Sequence, residues 1–429
     1  MENQSYDVAV IGLGAVGSAT LYQLSKSDAK VIGLDRFAPP HTFGSSHGET
    51  RITRLAVGEG EEYVALAKRS HEIWAELESL TGEVIRTRTG GLLIDSGEKP
   101  WAKHGAEGFW ERTVRFAKNQ EVEHRTPDLE EIADSFPAFQ IPASGKIYHE
   151  KEAGFLRPEL AIRTQLDLAR KNGAELKINS PVLAIHEVKD GYELSLPNGG
   201  LFAKKVILTA GGWIKDFISS QEKQKFKICR QVLHWLEIEP EVTDWTTYPV
   251  WMWGFGGAPE DFIYGFPSVD GTSVKMASES FLDVDHPDLI DREVSDEEQQ
   301  EFWRDKVQGK IKGLKNNFLK STVCFYTVTE DAKFVIEPRN GREDFLWVSA
   351  CSGHGFKHSA AVGEALAQQV LGGERPNVDI QGDVQLAAEV AWLVDNVRWD
   401  PEEDLSRVVG DAPAHTLTRF ARSAAQAVK

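Results

Sequence analysis

Cysteine is scarce in this chain, with three among 429 residues, at positions 229, 324 and 351. Their odd number and wide spacing exclude a disulfide framework and a zinc-binding spacing, and they fit a reducing cytosol. Long apolar runs are also missing. The first, Val8 to Leu24, is broken by three glycines and lacks a basic leader, so it reads as neither a secretion signal nor a membrane span. The final Ala427-Val428-Lys429 spells no peroxisomal address. Basic residues are in deficit, 48 against 66 acidic ones, for a formal charge of −18. No basic footprint exists for nucleic acid or an anionic membrane, so neither is expected as a partner. A hydrophobic content of 41% argues against disorder. What remains is an expected globular, cytoplasmic protein of about two domains whose anionic ligands must be held locally; a monomer or weak oligomer is expected, though composition does not decide it.

The opening reads strand, turn, helix, strand, a βαβ unit: Tyr6 to Ile11, Gly12 to Gly17, Ser18 to Ser25, and Lys30 to Leu34 ending at Asp35. From Ala38 to Glu62 the chain is polar and rich in glycine, a loop long enough to serve a site. Helical periodicity resumes over Tyr63 to Leu80 and again over Glu159 to Lys171. The buried run Lys204 to Thr209 and the run Phe345 to Ser349 resemble further strands of the first sheet. Gly90 to Asp95, Gln231 to Ile238, Tyr248 to Trp253, Phe262 to Phe266 and Ser273 to Ala277 suggest a separate antiparallel sheet. The expected fold class is α/β, a doubly wound Rossmann-like domain interleaved with an antiparallel-sheet substrate domain. Residues 1–86, 151–225 and 320–385 are assigned to the first, 87–150 and 226–319 to the second. Residues 386–429, with Leu386, Val390, Leu393 and Val397 at helical spacing, form an expected helical extension.

Gly12-x-Gly14-x-x-Gly17 follows a buried strand and opens a helix. The first glycine makes the tight turn, the second lets a diphosphate approach the backbone, and the third lets helix and strand pack. Asp35 would accept from a ribose hydroxyl. The pattern alone does not separate NAD from FAD. Cys324 taken alone reads as a small core hydrophobe. The polar Tyr326-Thr327-x-Thr329 stretch beside it and the Ser352-Gly353-His354-Gly355-Phe356-Lys357 turn suggest instead that both line one pocket, where positive charge would favour the thiolate.

Taken together, these motifs are similar to those of the monomeric sarcosine oxidase group of flavin amine oxidases, which includes N-methyltryptophan, pipecolate and fructosyl-amino-acid oxidases. The resemblance spans about Tyr6 to Gly373. It rests on Pro39-Pro40-His41-Thr42, Gly44-Ser45, His47-Gly48-Glu49-Thr50-Arg51-Ile52-x-Arg54, Gly58-Glu59-Gly60, Tyr264-Gly265-Phe266-Pro267-Ser268, Cys324-x-Tyr326-Thr327 and Ser352 to Lys357.

The resemblance implies an FAD enzyme that oxidises a secondary α-amino acid to an imine and passes electrons to O2, giving hydrogen peroxide; a fructosyl-amino-acid oxidase, a flavin dehydrogenase using another acceptor and a non-catalytic flavoprotein are the alternative readings. It implies a thioether from Cys324 to the flavin. Lys275 matches an oxygen-activating lysine over the ring, and His47 and Arg51 match residues near it. Arg54 and Lys357 match the pair gripping the substrate carboxylate, and Tyr264 and Tyr326 match pocket tyrosines. Val182 falls beside the adenine, and Asp35, Arg36, Ser45, Gly353, Gly355 and Lys357 fall along the cofactor. No metal is implied. The chain departs from the pattern at Ser46, where the family has a second histidine, and at Glu279, four residues after Lys275, also a histidine in sarcosine-type members. A carboxylate there would suit a substrate with an extra positive or hydroxyl-rich portion. The Trp251 to Gly257 segment also differs in length.

Overall fold

The computed structural model describes residues 4–103, 108–258 and 260–372. The expected 386–429 extension lies outside the described residues.

Two large sheets carry the architecture. In the first, six strands run in the spatial order Val335–Arg339, Arg342–Ser349, Gly199–Leu208, Gln4–Ile11, Val31–Leu34 and Glu175–Lys177. All neighbours are parallel except the edge pair Val335–Arg339 and Arg342–Ser349. Ala184–Val188 and Gly191–Leu196 add an antiparallel ribbon. Parallel strands need crossovers, and the first is the helix Ala15–Leu24, which returns the chain from Gln4–Ile11 to Val31–Leu34. These strands read as near-continuous apolar runs because the central ones are buried: Ala9, Val10, Ile32, Leu34 and Ile207 show no exposure above 0%.

The second sheet runs Asp283–Val284, Phe226–Ile238, Ser273–Ala277, Phe262–Gly265, Val250–Gly254, Gly91–Asp95 and Lys146–Glu150, with Leu314–Thr329 also paired to Phe226–Ile238. It is antiparallel apart from the parallel pair Val250–Gly254 and Gly91–Asp95. The strand Leu314–Thr329 is continuous and belongs to this sheet. The boundary expected between residues 319 and 320 therefore falls inside a strand, because its early residues are polar and give little strand signal. The loop expected over 38–62 also holds a short strand, Arg51–Thr53, in a small third sheet with Gly154–Leu156 and Arg86–Arg88.

Side-chain alternation decides what each face of the second sheet does. Val274 and Met276 join Trp251, Trp253, Ile263 and Leu236 in a core on one face. Lys275, between them, must point the other way, beside Trp235 and Ala277. Tyr264 lies opposite Ala277, and Met252 opposite Tyr264, so these share the face of Lys275. One face is thus a tryptophan-rich core, and the other is free to build a site.

Candidate active site

A cavity of about 620 Å3 runs along the first sheet and under this second face. That size is ordinary for a ligand site. Its nucleotide end is made of backbone. Gly12 and Gly14, the start of the helix Ala15–Leu24, Asp35, Arg36 and Val182 line it. The helix N-terminus brings unpaired N–H groups and partial positive charge to this wall.

The three glycines do different work. Gly12 has φ +91°, and a Cβ there would stand 2.6 Å from the Thr209 carbonyl oxygen. A Cβ on Gly17 would stand 1.8 Å from the Gly12 oxygen, so Gly17 is a packing residue and stands behind the cavity wall. Around Gly14 the nearest atom, Ser46 Oγ, is 4.0 Å from a Cβ position. The missing side chain at Gly14 therefore leaves room in the cavity, as a group approaching the backbone requires. Asp35 accepts from Leu13 N through Oδ2 and from Phe37 N through Oδ1, both at 2.7 Å. Burial raises its pKa against those hydrogen bonds. An open glycine, a helix N-terminus and an acid at the end of the second strand fit the diphosphate and ribose of FAD.

The other end is made of charged side chains. Arg54, Glu59, Lys103, Glu279 and Lys357 all line it and are nearly excluded from solvent. Arg54 follows the short strand Arg51–Thr53, and the next two residues are pinned by Glu150, which accepts from Leu55 N at 2.6 Å and Ala56 N at 3.1 Å. Arg54 Nη2 donates to Glu59 Oε2 at 2.7 Å, and Nη1 donates to the Ala56 carbonyl. Burial would raise the Glu59 carboxyl, but Arg54, Lys357, His354 and Lys103 more than reverse it and hold it well below the usual range. Lys357 Nζ donates to the His354 carbonyl at 2.7 Å. Burial, assisted by Arg54 and Lys103 and opposed by Glu59, brings its pKa down to about 7. Burial raises the phenols of both Tyr264 and Tyr326, so they stay protonated.

Lys275, His47 and Cys324 stand behind the wall. Lys275 is buried. Its Nζ donates to Gly48 O at 2.6 Å, Thr50 O at 2.8 Å and Thr50 Oγ1 at 3.1 Å. Burial and then Arg51 pull its pKa well down. The turn it grips is also held by Glu159, whose Oε1 accepts from Gly48 N at 2.6 Å. Arg51, which does line the cavity, donates to the Thr50 and Ser45 carbonyls. His47 is buried beside Arg51 and Lys275, and burial first, then those cations, lower its pKa to about 3. Cys324 packs with Leu233, Trp235 and Ala277. The cations expected near it are present, Arg51 and Lys275 among them, yet burial outweighs them and the thiol pKa is raised. Its neighbours Phe325, Tyr326 and Thr327 line the cavity, as do Ser45, Gly353 and Gly355.

Glu279, read from the sequence as suiting an extra positive or hydroxyl-rich portion of the substrate, lines the cavity and already has a cationic partner: Lys103 Nζ donates to Glu279 Oε2 at 2.6 Å. Lys103 had no signal of its own: it sits in a loop 176 residues away. Glu59 had one, an acid between two glycines five residues after Arg54.

The family described as DAO, FAD dependent oxidoreductase, matches residues 7–369. Monomeric sarcosine oxidase of Streptomyces avermitilis is 34% identical over 375 residues, covering 86% of this chain and 94% of that one. N-methyl-L-tryptophan oxidase of Salmonella heidelberg is 30% identical over 384 residues, covering 87% and 97%. Among solved structures, NikD, an amino acid oxidase of nikkomycin biosynthesis, aligns with a TM-score of 0.73 at 19% identity over 89% of this chain and 97% of that one, a likeness of fold. Among the described residues no helix is long and apolar enough to cross a membrane. The chain belongs to the DAO family of FAD dependent oxidoreductases.

Proposed function

We propose that this protein oxidises the secondary amine of an N-substituted or cyclic α-amino acid to an imine, with O2 as the final acceptor and hydrogen peroxide as product. The observation that carries the reading is the meeting of Arg54 and Lys357 on the wall of the cavity that begins at Gly12 and Gly14. A guanidinium fork and an ammonium suit one carboxylate. The sarcosine and N-methyl-L-tryptophan oxidases it resembles support the substrate class.

FAD, when bound, supplies the hydride acceptor. The protein does the rest. Arg54 and Lys357 hold the carboxylate, and Glu59 keeps the Arg54 fork in place. The same cations disfavour a protonated amine, leaving a nitrogen lone pair free to form the C=N bond as the C–H bond breaks and its electron pair departs. Water then hydrolyses the imine. Tyr264 and Tyr326 remain neutral donors that shape the pocket. Burial and Arg51 lower the pKa of Lys275, but the three oxygen acceptors around Nζ favour the ammonium, which would stabilise negative charge developing as O2 takes two electrons and two protons. Cys324 is the proposed thioether attachment, with Arg51 and Lys275 lowering its thiol pKa against the burial that raises it.

Anaerobic mixing with sarcosine, pipecolate, N-methyltryptophan and a fructosyl amino acid should bleach the flavin with at least one. Peroxide should follow when air is admitted. No bleaching with any of them would overturn the proposal, and bleaching without peroxide would make the enzyme a dehydrogenase. Acid precipitation should leave the yellow colour in the pellet for the wild type and release it from Cys324→Ala. Lys275→Met should slow reoxidation far more than reduction.

A further inference from the structure

Within the charged end of the cavity, two ion pairs stand side by side: Arg54 with Glu59 at 2.7 Å, and Lys103 with Glu279 at 2.6 Å. Adding Lys357 gives three cations against two carboxylates. One substrate carboxylate would balance that excess, at Arg54 and Lys357 in the oxidase reading. The Lys103–Glu279 pair is then left over. Both its side chains are 4% exposed, and both are part of the cavity wall. Lys103 Nζ also lies 4.4 Å from the centre of the Phe262 ring, so its position is fixed from two sides. Glu279 Oε1 lies toward the Gly353 turn, 3.5 Å from where a Cβ on that glycine would stand.

A buried pair of this kind presents a donor and an acceptor together. A second carboxylate on the substrate would have to compete with Glu279 for Lys103, and a second ammonium would have to compete with Lys103 for Glu279. Either leaves one charge buried without a partner, which is strongly unfavourable. An amide or hydroxyl group can accept from Lys103 and donate to Glu279 without displacing either.

We propose that Lys103 and Glu279 determine specificity, closing the site to amino acids with a charged side chain and favouring those whose side chain is uncharged and carries both a donor and an acceptor, such as an amide or a polyol. This rests on the oxidase reading above and goes beyond it by naming the side-chain class.

The test compares N-methyl-L-glutamine, N-methyl-L-glutamate and N-methyl-L-lysine in the wild-type holoenzyme, Lys103→Met, Glu279→Gln and the double variant. In the wild type, kcat/KM should favour the glutamine compound over both others by about tenfold or more. Glu279→Gln, which frees a cation, should raise the glutamate-to-glutamine ratio about tenfold. Lys103→Met, which frees a carboxylate, should raise the lysine-to-glutamine ratio instead. The double variant should show neither gain. In parallel, the dissociation constants of glutarate and its monoamide, read by tryptophan fluorescence, report the same discrimination without turnover. Glu279→Gln should favour glutarate. Ratios that do not move, or that move in the same direction in both single variants, overturn the proposal. Failure of every substrate to reduce the flavin, with the glutarate preference still shifting, would instead strike the oxidase reading. If Lys103→Met does not fold, Glu279→Gln and the double variant still decide.

Discussion

The two ends of the cavity recognise their ligands by different means. At the nucleotide end the main chain does the work: two glycines, a helix N-terminus and one acid, all between Gly12 and Asp35. At the opposite end five buried side chains do it, drawn from positions 54, 59, 103, 279 and 357. The first kind of recognition tolerates no added atom where packing is tight, while the second tolerates no unpaired charge. The difference teaches which substitutions should unfold the protein and which should only blunt it.

The sharpest break in that comparison lies between two glycines three residues apart. Gly17→Ala puts a Cβ into the Gly12 carbonyl and should leave no folded protein in the soluble fraction, as judged by circular dichroism. Gly14→Ala meets nothing within ordinary contact, so stability should stay within about 1 kcal/mol of wild type. Reconstitution with FAD in a Cys324→Ala background should nevertheless weaken. At the charged end, Arg54→Met strands the Glu59 carboxylate and should cost about 3–5 kcal/mol in denaturant unfolding, besides raising KM.

Smaller in effect is the pH response of Lys357. Its pKa of about 7 means the ammonium is intact below that pH and lost above it. Binding of a carboxylate that carries no amine should therefore weaken as pH rises through 7, by up to about tenfold per unit. Lys357→Met should abolish that dependence, measured as the dissociation constant across pH 6 to 9. Smallest is Tyr6→Phe, which removes a 2.7 Å hydrogen bond to Glu175 on the first sheet. It should cost roughly 0.5–1.5 kcal/mol and leave turnover unchanged.

The same contrast explains what could be read from the sequence. Gly12, Gly14, Gly17 and Asp35 are legible because a βαβ unit fixes their spacing locally. Lys275 could be assigned to a strand, but its direction follows only from pairing with Trp235 and from Val274 and Met276 filling the opposite core. Lys103 was invisible: nothing in its own neighbourhood signals that it will meet Glu279 across 176 residues. The early half of Leu314–Thr329 was missed because exposed strand residues such as Lys315, Asn316 and Asn317 carry no apolar alternation.

One topological detail bears on how the chain is made. Gly199–Leu208 lies between Gln4–Ile11 and Arg342–Ser349 in the parallel sheet. During synthesis the ribosome must add well over a hundred residues before the outer neighbour of Val206, Ile207 and Leu208 exists. Until then that apolar edge lacks its outer partner, and an unpaired edge of this kind is where non-local pairing slows folding and wrong strands can add.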